Sequence, residues 1–236
     1  MRLTELTEAG FRTVVAEFQR PAGGMRWVVM PTIHMGHPDY YWAIWQRMRS
    51  SQAVIAEQAD MPSPTGMAYA NAMRLARQRA GRDIVAQDID YGALGVPVIF
   101  PDAHTAGPAR PDRELLPEER IMVAALTPFL ALEMAMTRGD DWLGGTGLTI
   151  DDDSVFARDE RDDLLLGVIR EIHGEFADED MEVSIVFGAA HMPLVVRELT
   201  GGLGYRALPG AHWLTAVDYD IPAHLRRPPL DGWMDW

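Results

Sequence analysis

The chain has 236 residues, 47% of them hydrophobic, so it can bury a sizeable core as one large domain. It contains neither cysteine nor lysine, all 21 Lys+Arg positions being arginine, which excludes thiolate nucleophiles, cysteine-ligated zinc, disulfides, Schiff-base chemistry and the P-loop lysine. A formal net charge of −14 argues against nucleic acid or an anionic membrane as partner, because binding phosphate needs concentrated positive charge.

The first elements in chain order are two apolar, β-branched runs, Thr13 to Phe18 and Arg26 to Met30, flanking Arg20-Pro21-Ala22-Gly23-Gly24; they predict a hairpin. Pro31-Thr32-Ile33-His34-Met35-Gly36-His37 follows as a loop. Pro38-Asp39 then opens a helix through Arg49 with apolar residues at helical spacing. Ala53 to Ala56 reads as the next strand, ending on Glu57. Strand, loop, helix and strand make one βαβ unit with parallel strands, which sets His34 and Glu57 at the carboxyl ends of neighbouring strands. In open α/β sheets that edge is where ligands bind.

The middle of the chain predicts a helix from Met67 to Ala80, a short strand from Asp83 to Gln87, a loop-rich run from Gly92 to Arg113, and a long apolar helix from Pro117 to Arg138 broken or kinked near Pro128. Asp141 to Gly147 reads as a glycine-rich loop able to lie over a site. After the acidic run Asp151-Asp152-Asp153 a helix is expected to about His173-Gly174. Val183 to Phe187 predicts a buried strand, followed at once by Gly188-Ala189-Ala190-His191 and a helix from Met192 to Leu203. Tyr205 to Leu208 and Trp213 to Val217 predict closing strands, and Pro222 to Trp236 an irregular arm.

With thiols and amines gone, chemistry has to rest on His, Asp, Glu, Arg, hydroxyls, metal or water. None of the five serines sits in a G-x-S-x-G elbow. His34 and His191 share a setting, each following a buried strand and preceding a helix, and Glu57 ends a third strand. Two imidazoles and a carboxylate at one edge suit a divalent ion with open positions for water. The same set without metal suits a general base supported by a carboxylate. His37, Gln58, Asp60, Asp88 and Asp90 are candidates for the same pocket. Tyr40, Tyr41, Trp42 and Trp45 read as core or as an apolar pocket wall. His104, His173, His212 and His224 read as structural.

The run VVMPTIHMGHPDYYWAIWQRMRSSQAVIAEQ resembles the first motif block of the TraB/PrgY/GumN/Tiki family, in which a strand ends in G-T-x-H and the next in glutamate. FARDERDDLLLGVIREIHGEF followed by VSIVFGAAHMPLVVRELTGGLGY resembles its last block, an E-R-N/D helix and a G-x-x-H strand turn. The resemblance covers about half of the chain. It implies an α/β (α+β) fold like that of erythromycin esterase and ChaN, a central mixed β-sheet flanked by helices. It implies a single domain over 1–236, with a helical insertion at about 61–150 and an irregular arm at about 219–236. It further implies a metal-dependent, peptidase-like hydrolase with His34, Glu57 and His191 holding the metal and Arg161 in the site. Pro31 stands where the family has glycine, and Asp162 where it often has asparagine, leaving a charge to be paired with an arginine or drawn into a metal shell.

The expected reading is a cytoplasmic hydrolase using Mn²⁺, Co²⁺ or Zn²⁺ against a small peptide or other small-molecule amide or ester, with no nucleic-acid or membrane partner and with homo-oligomerisation open. The alternatives are a metal-free, erythromycin-esterase-like or natural-product biosynthetic enzyme with a histidine base, and a haem- or peptide-binding protein without catalysis.

Overall fold

A computed structural model of the chain describes residues 1–7, 10–33, 35–57, 68, 71–72, 75, 85–87, 89–103, 117–136 and 160–218. The first strands are β1 (Thr4–Thr7), β2 (Gly10–Gln19) and β3 (Arg26–Thr32). A two-residue strand β4 (Met35–Gly36), helix α1 (Pro38–Met48), β5 (Ala53–Ala56), β6 (Val85–Ala86) and β7 (Val98–Ile99) follow. Helices α2 (Pro117–Met136) and α3 (Glu160–Phe176) precede β8 (Glu182–Gly188). Helix α4 (Met192–Arg197) and strands β9 (Arg206–Ala207) and β10 (His212–Asp218) complete the described chain.

The fold is α/β, built on a mixed sheet. The order β1-β2-β3-β8-β5-β7 has β9 and β10 also paired to β2. β3, β8, β5 and β7 run parallel, whereas β1, β9 and β10 pair antiparallel with β2, as does β3. The predicted hairpin is therefore present. Its turn needs glycine, since Gly23 and Gly24 have φ of 84° and 81° and a Cβ on Gly24 would stand 2.5 Å from the Ala177 carbonyl oxygen.

One expectation is corrected. β3 and β5 are parallel but not neighbours, because β8 lies between them, with Thr32 opposite Gly188 and Ala56 opposite Val186. β8 suits the central place: Val183 to Phe187 are all buried, as a strand covered on both faces requires. Alternate residues of these strands feed two cores. Ile55, Val183, Ile185 and Phe187 pack with Leu165, Leu166 and Ile169 of α3 and Val195 and Leu199 beyond β8. Val28, Met30, Val54 and Val186 pack with Tyr40, Ile44 and Met48 of α1. The result is a three-layer domain with α1 on one face of the sheet and α3 and α4 on the other.

Smaller differences have local causes. β7 falls in the run expected as loop, because it is only two residues long and lies among prolines. α2 continues through Pro128 as one helix. Within the expected helix at 67–80, Ala68, Asn71, Ala72 and Leu75 are helical. The expected loop at 141–147, the acidic run at 151–153 and the arm at 222–236 lie outside the described residues. Among the described residues no helix is long and apolar enough to cross a membrane.

Candidate functional site

The parallel strands end together, and the candidate residues gather at that edge. Glu57 directly follows β5 and is 3% exposed; its own N–H donates to the Val186 carbonyl at 3.1 Å. Its carboxylate is held from two sides. Oε2 accepts from the Gly188 backbone N–H at 2.8 Å, and Oε1 from an Arg161 terminal nitrogen at 2.7 Å. Close approach explains the glycine: a Cβ on Gly188 would lie 3.1 Å from that Oε2 and 3.5 Å from the Cδ2 carbon of His191.

Arg161 and Asp162 are consecutive in the first turn of α3, and the roughly 100° between adjacent helical residues sends them to different partners. Arg161 reaches Glu57. Asp162, 4% exposed, accepts from Nδ1 of His191 at 2.6 Å. His191 closes the 3₁₀ turn Ala189–His191 that follows β8, and its ring meets Phe187 edge to face with centroids 5.4 Å apart. An ionised carboxylate only accepts, so the proton of a neutral His191 ring sits on Nδ1 and Nε2 presents a lone pair. The second terminal nitrogen of Arg161 lies 3.4 Å from that Nε2.

The structure brings Glu57, Arg161 and His191 together, and Asp162 accepts from the histidine. His34, Gln58, Asp60, Asp88, His104 and His224 lie outside the described residues. The strand leading to His34 is fixed nonetheless. The Tyr40 hydroxyl donates to the Pro31 carbonyl at 2.9 Å and the Tyr41 hydroxyl to that of Ile33 at 2.7 Å. Both tyrosines are core. Trp42 is 57% exposed and stacks on Trp45.

His37 stands at the N-cap position of α1 with its backbone N–H donating to the Ala216 carbonyl and no cap bond from its side chain; Asp90 caps the 3₁₀ turn Tyr91–Leu94 by accepting from the Ala93 N–H at 3.1 Å. His173 meets the Tyr205 hydroxyl at 3.1 Å, and burial, then the nearby Arg20 charge, lower its pKa. One participant is not legible in the sequence: the Gly188 N–H, signalled only by the glycine before the histidine. Asp102, a fully buried acid in the turn after β7, lies in a Pro-rich run that reads as loop.

A divalent ion fits the described arrangement poorly. An imidazole backed by a carboxylate is a good ligand in isolation. Here, however, the Arg161 guanidinium spans Glu57 and His191, the two groups the ion would bridge, and a second cation would meet it at contact distance. Among the described residues no three His, Asp or Glu side chains form a metal-holding group, and the expected third ligand, His34, is not among them. Comparison with protein families, curated proteins and solved structures finds no match for this chain.

Proposed function

We propose that the chain is a hydrolase of a small peptide or other small amide or ester, working as a metal-free acid–base enzyme with His191 as its base. The observation that carries the reading is the relay Asp162–His191, with Nε2 turned toward a guanidinium anchored on a buried glutamate.

Water bound at Nε2 gives up a proton to His191 as its oxygen adds to the carbonyl carbon. The carbonyl oxygen takes the negative charge and faces Arg161, which Glu57 holds in place before the charge develops. Collapse breaks the bond to the leaving nitrogen or oxygen, which receives the proton from Nε2. Asp162 keeps the ring in the required tautomer throughout. Arg161 is 31% exposed, so the donor that meets substrate is reachable from solvent. The resemblance to the TraB/Tiki and erythromycin-esterase proteins supports hydrolysis as the reaction class.

The test is turnover of a panel of chromogenic esters and amino-acid amides by wild type, His191→Gln and Asp162→Asn, before and after dialysis against chelator. Each substitution is expected to lower kcat/KM about 10²- to 10⁴-fold, with chelator without effect. Unchanged turnover in His191→Gln overturns the base assignment. Loss on chelation with recovery in Mn²⁺, Co²⁺ or Zn²⁺ overturns the metal-free reading in favour of the metal-dependent one.

A further inference from the structure

The segment after β8 passes without interruption from the 3₁₀ turn holding His191 through α4 into a π turn, Glu198–Gly202. π turns are rare. This one closes with the Leu203 N–H on the Glu198 carbonyl at 2.9 Å, and it turns the Glu198 side chain onto α3. There Arg170 grips it with two hydrogen bonds, Nε at 2.7 Å and a terminal nitrogen at 2.8 Å. Gly202 makes the room, since a Cβ there would stand 3.0 Å from Oε1 of Glu198 and 3.1 Å from its carboxyl carbon.

Two polar rungs therefore join the same two elements. Asp162 meets His191, and Arg170 meets Glu198. On α3 the rungs are about 12 Å apart by helical rise, and His191 and Glu198, seven residues apart, lie on one face after two turns. Between them the contact is apolar, made by Leu165, Leu166 and Ile169 against Met192, Val195, Val196 and Leu199. Aliphatic side chains of similar volume repack without strong preference for one rotation of a short helix. A two-pronged arginine–carboxylate pair does specify it by its geometry, although the Arg170 side chain is 52% exposed. α4 has only six residues, so a single rung at its His191 end leaves rotation about that point open, and the second rung closes it.

We propose that Arg170 and Glu198 are positioning residues: their bidentate pair fixes the rotation of α4 on α3 and thereby holds Nδ1 of His191 on Asp162. This rests on His191 as the base, but its readout does not depend on turnover. The tautomer of His191 is measured by ¹⁵N NMR of the imidazole in the full chain, with circular dichroism confirming the fold. Wild type is expected to show the Nδ1–H form. In Arg170→Gln and Glu198→Gln the Nε2–H form, which a free imidazole favours, is expected to rise several-fold. Arg170→Lys, which keeps the charge but not the two-pronged grip, is expected to fall between. Charge reversal, Arg170→Glu with Glu198→Arg, is expected to restore the Nδ1–H form. If Arg170→Gln does not fold, Gly202→Ala supplies the same readout, because it keeps both charges and pushes the Glu198 carboxylate. A folded variant that melts earlier with an unchanged tautomer overturns the proposal and leaves the pair a plain staple. A changed tautomer with no hydrolysis by any form upholds the positioning and rejects the hydrolase reading alone.

Discussion

β8 starts at Glu182 and ends at Gly188, so one strand about 20 Å long joins two polar networks at opposite edges of the sheet. At the amino edge Glu182 accepts from Arg47 at 2.5 Å and from Ser51 at 3.0 Å, Arg47 also donates to Glu17 at 3.0 Å, and Ser51 and Ser184 share a bond of 2.7 Å. At the carboxyl edge the bonds of Glu57, Arg161, Asp162 and Gly188 are equally short, at 2.6 to 2.8 Å, but the contact at Nε2 of His191 is 3.4 Å. The difference is one of chemistry more than density. In the first network the bonded groups are carboxylates, guanidinium groups and hydroxyls, which hold one another and have no proton to pass near neutral pH. In the second a histidine is tied firmly by one nitrogen and loosely by the other, and the loosely held atom is the one able to exchange a proton.

Removing a cation from the amino edge has the largest expected effect. Arg47→Met takes the nearest cation from Glu182 and Glu17 but leaves them Arg26, at 3.8 and 3.4 Å, and leaves Glu182 its bond from Ser51; the side chains of Arg47 and Glu182 are 19% and 15% exposed, so water screens them only in part. A fully buried pair loses about 3–5 kcal/mol when one partner goes; about 1–2 kcal/mol is expected here. It is measured as a lower urea midpoint at unchanged slope. The His191 tautomer is expected to stay as in wild type. A variant that keeps its midpoint but loses the tautomer would show that the two edges are one device.

A smaller effect is expected at the other edge. Gly188→Ala keeps the N–H bond to Glu57 but forces the carboxylate to yield a few tenths of an ångström. Its stability cost is expected at about 1 kcal/mol or less. Turnover is expected to fall about 3- to 10-fold, short of the ~10²-fold that an ångström of misplacement brings. Equal turnover in this variant would mean that the Glu57–Arg161 pair does not position substrate.

How much of this was readable beforehand follows from the range of the forces involved. Glu57, Arg161 and His191 were legible because each sits beside an apolar run whose period fixes the element, and strand ends are where an α/β sheet binds ligands. The place of β8 between β3 and β5 was not, since strand order depends on pairings across more than a hundred residues. The partner of Asp162 was hidden for the same reason. Nothing local separates an acid in a first helical turn that faces solvent from one that faces an imidazole. Asp102 shows the limit from the other side: its burial comes from neighbours that a Pro-rich run does not announce.

The smallest effect separates the edges by pH. Burial and, next, the Arg20 charge lower the pKa of the half-buried His173. The unfolded chain therefore takes up a proton first as pH falls below the ordinary 6.5. The stability His173 contributes is complete above 6.5 and drains away as pH drops toward the lowered value. Glu182 acts later. Burial raises its pKa, but the hydrogen bond and charge of Arg47 and the bond from Ser51 more than offset this, and the carboxyl ends below its ordinary 4.5. Its contribution is complete above 4.5 and lost as pH falls through the lowered value. Stability against urea, followed from about pH 7.5 to about pH 3.5, is then expected to fall in two stages, and Glu182→Gln should remove the second while leaving the first. A second stage that survives in Glu182→Gln would mean that other carboxylates dominate acid unfolding. The amino edge would then owe its strength to hydrogen bonds whose protons stay in place, and the contrast with the histidine-bearing edge would rest on proton exchange alone.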